Sequence, residues 1–204
     1  MIKHTLKLAS LLAFMVLFAM PAFANPLAIQ ETDVALGSEN APVTIIEYAS
    51  MSCPHCAHFH LGIFENVKKD FIDTGKVRFV MRDLAWDPLA MAVAKVTRCV
   101  EKDQFYNYVS AFFSTQATWA KSTDPVAELK KVARLGGMSD EAFNQCLART
   151  DTHEQIFEMK RVAMEELKVN STPTFFIGEG GVVHGVTDYP SFKKEIEKAL
   201  SRAK

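Results

Sequence analysis

Val43-Thr44-Ile45-Ile46-Glu47-Tyr48 leads into Ser52-Cys53-Pro54-His55-Cys56. The first run is rich in β-branched and aromatic residues, the composition of a strand. Beyond the second cysteine, Phe59, Ile63, Val67 and Phe71 are apolar at steps of four, which predicts a helix. The two cysteines therefore fall where a strand ends and a helix begins. Backbone N–H groups without helical partners, and the positive end of the helix dipole, favour an anionic sulfur at such a junction. Cys53 is expected near the first helical position. Cys56 then lies one turn on, on the same face, close enough to close a disulfide. Pro54 fits the first turn, where its missing N–H is no loss.

This spacing narrows the chemistry. Thiol–disulfide exchange needs one accessible thiolate that attacks and a second thiol that resolves the mixed disulfide. A cysteine pKa of about 8.5 falls to about 3.5–7.5 in such settings, which favours the thiolate by roughly 1–7 kcal/mol. His55, between the cysteines, can give a hydrogen bond or positive charge to the Cys53 sulfur. Whatever stabilises the reduced thiolate makes the disulfide easier to reduce, so His55 points to a donor of disulfides. Glu47 interrupts the apolar strand, and on the residues alone this fits an exposed strand face.

The chain has 204 residues. Residues 1–24 read as a cleaved secretory signal: Lys3, His4 and Lys7 form a basic start, Leu8 to Met20 is almost wholly apolar, and Ala22-Phe23-Ala24 is a small-x-small cleavage site. Losing Lys3 and Lys7 takes Lys+Arg from 23 to 21 against 24 Asp+Glu, a net charge of −3. That is too mild for a nucleic-acid or anionic-membrane partner. The remaining 180 residues suffice for one sizeable core. No repeat, low-complexity tract or Gly/Ser linker divides them.

Residues 25–40 read as a short polar lead-in. The first helix is expected from Cys53 to Asp73, ending at Gly75. His58 and His60 read as decorating its exposed face. With Cys53 and Cys56 they also allow a soft-metal site, while Ala57 stands where a c-type haem motif needs histidine. Lys76 to Leu84 alternates as a strand. Five helices are then expected. The first carries Ala92, Val93, Val96, Cys99 and Val100 on one face, and the second Phe105, Val109, Phe112 and Phe113. The third starts at Asp124-Pro125, the fourth is capped by Ser139, and the fifth covers 152–167. Phe175-Phe176-Ile177, a turn at Gly178 to Gly181, and Val182-Val183-His184-Gly185 read as a hairpin, and Phe192, Ile196, Ala199 and Leu200 as a closing helix.

The strand, Cys53-Pro54-His55-Cys56, the helix, and the later Ser171-Thr172-Pro173-Thr174-Phe175-Phe176-Ile177 together resemble the DsbA family of periplasmic thiol:disulfide oxidoreductases. The lowest cysteine pKa quoted above belongs to that family. The resemblance implies an α/β thioredoxin fold with an inserted all-helical domain. Residues 25–84 and 169–204 would form the thioredoxin-like part and 85–168 the insert. It implies that Cys53 and Cys56 are catalytic and that Pro54, His55 and a buried Glu47 tune the thiols. It implies that Pro173 is cis and faces the active-site sulfur, with Thr172 pairing an extended substrate. On the residues alone, Cys99 and Cys146 are either unpaired core cysteines or a bridge. Some DsbA-like proteins carry a structural disulfide in the helical domain, which implies Cys99–Cys146.

In function the resemblance implies a thiol oxidase of the periplasm. It would introduce disulfides into unfolded exported proteins with free cysteines and be reoxidised by a quinone-linked membrane oxidase. No cofactor is expected beyond the Cys53–Cys56 disulfide, and no metal. A monomer is expected, because the lead-in is thin for a dimerisation domain. The nearest rival is an isomerase or reductase on the same fold. A rival of another class is a soft-metal-binding protein using Cys53, Cys56 and nearby histidines.

Overall fold

The computed structural model describes residues 25–186 and 188–203, so the expected export signal at residues 1–24 lies outside them. Five strands form one sheet in the order β1-β3-β2-β4-β5: Ala35–Leu36, Val43–Ala49, Val77–Asp83, Thr174–Ile177 and Gly181–His184 number β1 to β5 along the chain. β2 and β3 run parallel, with Ile45 opposite Phe79 and Glu47 opposite Met81. Their crossover is the predicted helix. The remaining pairs are antiparallel, and β4 sets Phe175 opposite Glu47. This is a thioredoxin-type mixed sheet, and the site sits at the end of its central strand β2.

The crossover helix covers residues 54–72 without a break, widening into π-helical turns at Phe59–Ile63 and Lys68–Ile72. It ends where Gly75 adopts φ 72°, a left-handed conformation that costs glycine least. After β3 the chain leaves the sheet. Helices follow at Pro88–Thr97, Phe105–Ser114, Gln116–Trp119, Pro125–Leu135, Asp140–Ala148 and Thr150–Arg161, the last extended by the π turn Val162–Glu166. Asp87, Asp124 and Ser139 each cap a helix by accepting a backbone N–H. A final helix, Tyr189–Arg202, closes the fold.

Alternation along the strands divides the interior. Val43, Ile45, Ala49, Val77, Phe79, Met81, Phe175 and Ile177 point to one side. There they share a continuous apolar core with Phe59, Ile63 and Val67 of the crossover helix and with Phe112, Phe113, Trp119, Leu129 and Phe143 of the helical excursion. The helices between β3 and β4 thus bury their apolar faces against the sheet side of the molecule. Ile46, Tyr48, Val80, Val169 and Phe176 fill a smaller core on the opposite face.

Two local expectations differ from the structure, and one short helix was not anticipated. Residues 25–40, read as a short polar lead-in, add a strand to the sheet: β1 pairs with β3, and buried Asp33 receives the Arg82 guanidinium at 2.7 Å and 3.0 Å. Arg82 also donates to the Pro26 and Ala28 carbonyls and to the Tyr48 hydroxyl. A two-residue strand carries too little periodicity to be read from sequence. Cys99 lies past its helix, which stops at Thr97, and the Cys99 N–H turns back to the Val96 carbonyl. The short helix Gln116–Trp119 had no separate expectation.

Candidate active site

β2 delivers the chain to Cys53, which is the N-cap of the crossover helix, with Pro54 at the first helical position. Cys53 keeps an extended backbone (φ −80°, ψ 121°), and its sulfur is part-exposed. Cys56 is fully buried one turn on, and both thiols are free. Cys99 and Cys146, 47 residues apart, form a disulfide in the helical excursion.

The two thiols differ sharply in acidity. Cys53 is lowered to about 5, chiefly because the Cys56 side chain donates a hydrogen bond to its sulfur. Burial opposes the shift; the Thr172 side chain and the backbone N–H groups of Cys56 and His55 add to it. Cys56 is raised, first by burial, then by its bond to Cys53 and by the charge of Glu47. One thiol is therefore ionised at neutral pH while its neighbour holds its proton. His55 acts in this set through its backbone N–H, and its ring lies on the exposed surface.

The Thr172–Pro173 peptide bond is cis. In the protonated state the Cys53 thiol donates to the Thr172 carbonyl at 3.4 Å. Ionisation ends that donation, and the donors to the sulfur then dominate. The Thr172 hydroxyl is one of them. Its oxygen accepts the Trp86 indole N–H at 3.3 Å, which leaves the hydroxyl proton for the sulfur. A groove of about 590 Å³ runs beside this point along His55, Thr172, Val183, His184 and Phe192.

Sequence reasoning missed the residues that hold the loop. Buried Gln116 donates its amide to the Met51 carbonyl at 2.7 Å and to the Cys53 carbonyl at 3.1 Å. Ser52 bonds Asp87, the cap of the Pro88–Thr97 helix. Both contacts tie the helical excursion to the cysteine loop. The usable signal for Gln116 was its place four residues past Phe112 on an apolar face.

Glu47 is wholly buried, on the same side of β2 as Ile45 and Ala49, and its carboxylate meets His60 Nε2 at 2.8 Å. His60 is therefore no exposed decoration, unlike His58. It sits four residues past Cys56, inside the buried stripe formed with Phe59, Ile63 and Val67, and stacks on Phe113 at 4.7 Å. Among the described residues no group of three or more His, Cys, Asp or Glu side chains is placed to hold a metal.

An acidic, part-exposed thiol at a helix N-terminus, a buried partner thiol and the Thr172–Pro173 loop against the first sulfur form an arrangement chemically suited to thiol–disulfide exchange. Residues 29–198 match the family described as thioredoxin, and the chain belongs to that family. Its likeness is to the DsbA-type members. The crystal structure of Wolbachia pipientis alpha-DsbA1 superposes with a TM-score of 0.81 at 28% identity, covering 87% of this chain and 95% of that one. A Rickettsia felis protein named as a protein-disulfide oxidoreductase is 30% identical over 86% of this chain, which spans 63% of that relative's length. Disulfide bond formation protein D of Bacillus subtilis is 27% identical over 81% of this chain and 76% of its own.

Proposed function

We propose that this protein is a thiol:disulfide oxidoreductase that donates its Cys53–Cys56 disulfide to exported proteins. The observation that carries the reading is the split in acidity between a Cys53 thiol lowered to about 5 and a buried Cys56 thiol that is raised. A substrate thiolate attacks Cys53 Sγ, the Cys53–Cys56 bond breaks, and Cys56 leaves and takes up a proton. A second substrate thiolate then attacks the substrate sulfur of the mixed disulfide. Cys53 leaves as a thiolate, and an acidic thiol is a good leaving group. The substrate has lost two electrons, and the protein is left as the dithiol.

In this reading the groove beside Thr172 and the cis-proline loop receives the substrate chain in an extended form. Pro54 and the main chain of the turn tune Cys53. Glu47 serves the buried thiol, and Cys99–Cys146 is structural. The substrates are unfolded exported proteins with free cysteines, the compartment is the periplasm, and a quinone-linked membrane oxidase restores the disulfide. The protein acts as a monomer, without a cofactor beyond its own sulfurs. Among the described residues no helix is long and apolar enough to cross a membrane.

The test is oxidation of a reduced multi-cysteine protein, together with equilibration of the Cys53–Cys56 pair against glutathione. A strongly oxidising equilibrium, and loss of oxidation in Cys53→Ala, are the expected results. A reducing equilibrium, or parental oxidation by Cys53→Ala, would overturn the reading.

A further inference from the structure

Two loops frame the Cys53 sulfur, and the sheet does not hold them together. β2 and β4 pair as far as Tyr48 opposite Thr174, and beyond that pair the chains separate into the cysteine loop and the Thr172–Pro173 loop. In the dithiol the two loops meet at Cys53. Its thiol donates to the Thr172 carbonyl at 3.4 Å, and its thiolate takes the Thr172 hydroxyl proton. Once Cys53 is in a disulfide, its sulfur has no proton to give and no charge to draw one. That is the state a substrate thiolate meets.

A second connection avoids the sulfur. Trp86 and Asp87 are consecutive, in the segment that leads from β3 into the Pro88–Thr97 helix, and each reaches one of the two loops. The Trp86 indole N–H donates to the Thr172 hydroxyl oxygen at 3.3 Å, and the Asp87 carboxylate accepts the hydroxyl proton of Ser52, next to Cys53. Ser52 in turn accepts the Ser50 hydroxyl at 3.2 Å, because its own proton goes to the carboxylate. Both bridging residues are fixed from behind. The other Asp87 oxygen accepts the Ala90 N–H at 2.9 Å as the helix cap. Lys160 Nζ lies 5.6 Å from the centre of the Trp86 ring and donates to the neighbouring Ala85 carbonyl at 3.0 Å. The Leu84 N–H donates to the Ala49 carbonyl at 2.7 Å, which anchors the segment to the end of β2. None of these bonds uses a sulfur, so oxidation leaves them in place.

We propose that Trp86 and Asp87 are positioning residues that form one brace, holding the cysteine loop and the Thr172–Pro173 loop at a fixed spacing, and that the brace selects cysteines in extended polypeptide over small thiols. The inference rests on the exchange reading above. A polypeptide that reaches Cys53 touches both loops, and a fixed spacing spares it the cost of ordering them. A small thiol touches the sulfur alone and gains little. The helical excursion thus contributes to substrate choice through two adjacent side chains at its entry.

The experiment starts from the full protein with Cys53–Cys56 oxidised and compares its reduction by an unstructured two-cysteine peptide with its reduction by dithiothreitol. Ser52→Ala cuts one end of the brace and Trp86→Phe the other. Each is expected to lower kcat/KM for the peptide about tenfold more than the rate with dithiothreitol. Ser52→Thr keeps the hydroxyl and is expected to keep the parental ratio. The double variant Ser52→Ala/Trp86→Phe is expected to match the single variants, because cutting either end already releases the brace, whereas independent contacts would multiply. Taking the ratio of the two reductants within each variant removes the folded fraction from the comparison. A parental ratio in either single variant, a lost ratio in Ser52→Thr, or multiplied losses in the double variant overturns the proposal. Failure of the exchange reading would show separately, as a parent disulfide that does not oxidise the peptide.

Discussion

Replacing Cys53 by serine in the reduced protein should remove a pH-dependent part of its stability. The native thiol is lowered to about 5, against about 8.5 for an unperturbed cysteine. A depressed acid stabilises the folded state fully above its unfolded pKa, and the contribution disappears as pH falls through the folded one. At pH 7 the gap between solution pH and the folded value, at about 1.4 kcal/mol per unit, gives about 3 kcal/mol. The sulfur is part-exposed, so solvent screening reduces this to about 1–2 kcal/mol. Cys56 stays protonated through this range because burial raises it, and it adds no slope. The assay is urea denaturation of the reduced parent and Cys53→Ser from pH 4 to 8, with mass spectrometry verifying that Cys99–Cys146 stays closed. The stability difference should be flat below about pH 5 and rise steadily to pH 8. In the redox couple the same energy makes the disulfide more oxidising by roughly 20–40 mV. A difference that does not change with pH would refute the assignment of the negative charge to Cys53.

Gln116→Leu should cost about 1–3 kcal/mol in urea denaturation, because it takes the side-chain donor from the buried Met51 carbonyl, while the Cys53 carbonyl keeps the Ala57 N–H. Trp86→Phe removes the N–H that fixes the Thr172 hydroxyl; thiol titration should find Cys53 less acidic, with an unchanged melting temperature. Arg82→Ala leaves Asp33 buried without its partner and should destabilise by about 3–5 kcal/mol, read by denaturant midpoint, with exchange chemistry intact in the folded fraction. Opening Cys99–Cys146 by a double alanine substitution should cost about 4 kcal/mol for a loop of 47 residues, and leave the rate of Cys53 exchange at the parental value.

The sequence was most legible where periodicity and chemistry coincided. The strand Val43–Ala49, the helix from Pro54, its stop near Gly75 and the Phe175 hairpin each combine a clear period with a turn or cap residue. Asp124-Pro125 and Ser139 marked helix starts because capping is a local interaction. The identity of the site followed from two cysteines one turn apart. What surrounds them was hidden for physical reasons. His60 reads as polar, and only its i+4 relation to Cys56 places it in the buried stripe beside Glu47. Gln116 and Asp87 reach the cysteine loop across contacts far apart in sequence, and no local pattern encodes those. The backbone N–H of His55 also serves the Cys53 sulfur, a contribution that does not depend on side-chain identity and so leaves no mark in the sequence. Asp33 and Arg82 pair across 49 residues, and each alone looks like an ordinary surface charge.

The most direct test is the thiolate absorbance of the reduced protein followed across pH, with Cys53→Ala as the blank. One sulfur should ionise, with a midpoint near 5, and no second thiol should ionise before the alkaline range. A midpoint at about 8.5, that of an unperturbed cysteine, would contradict the account.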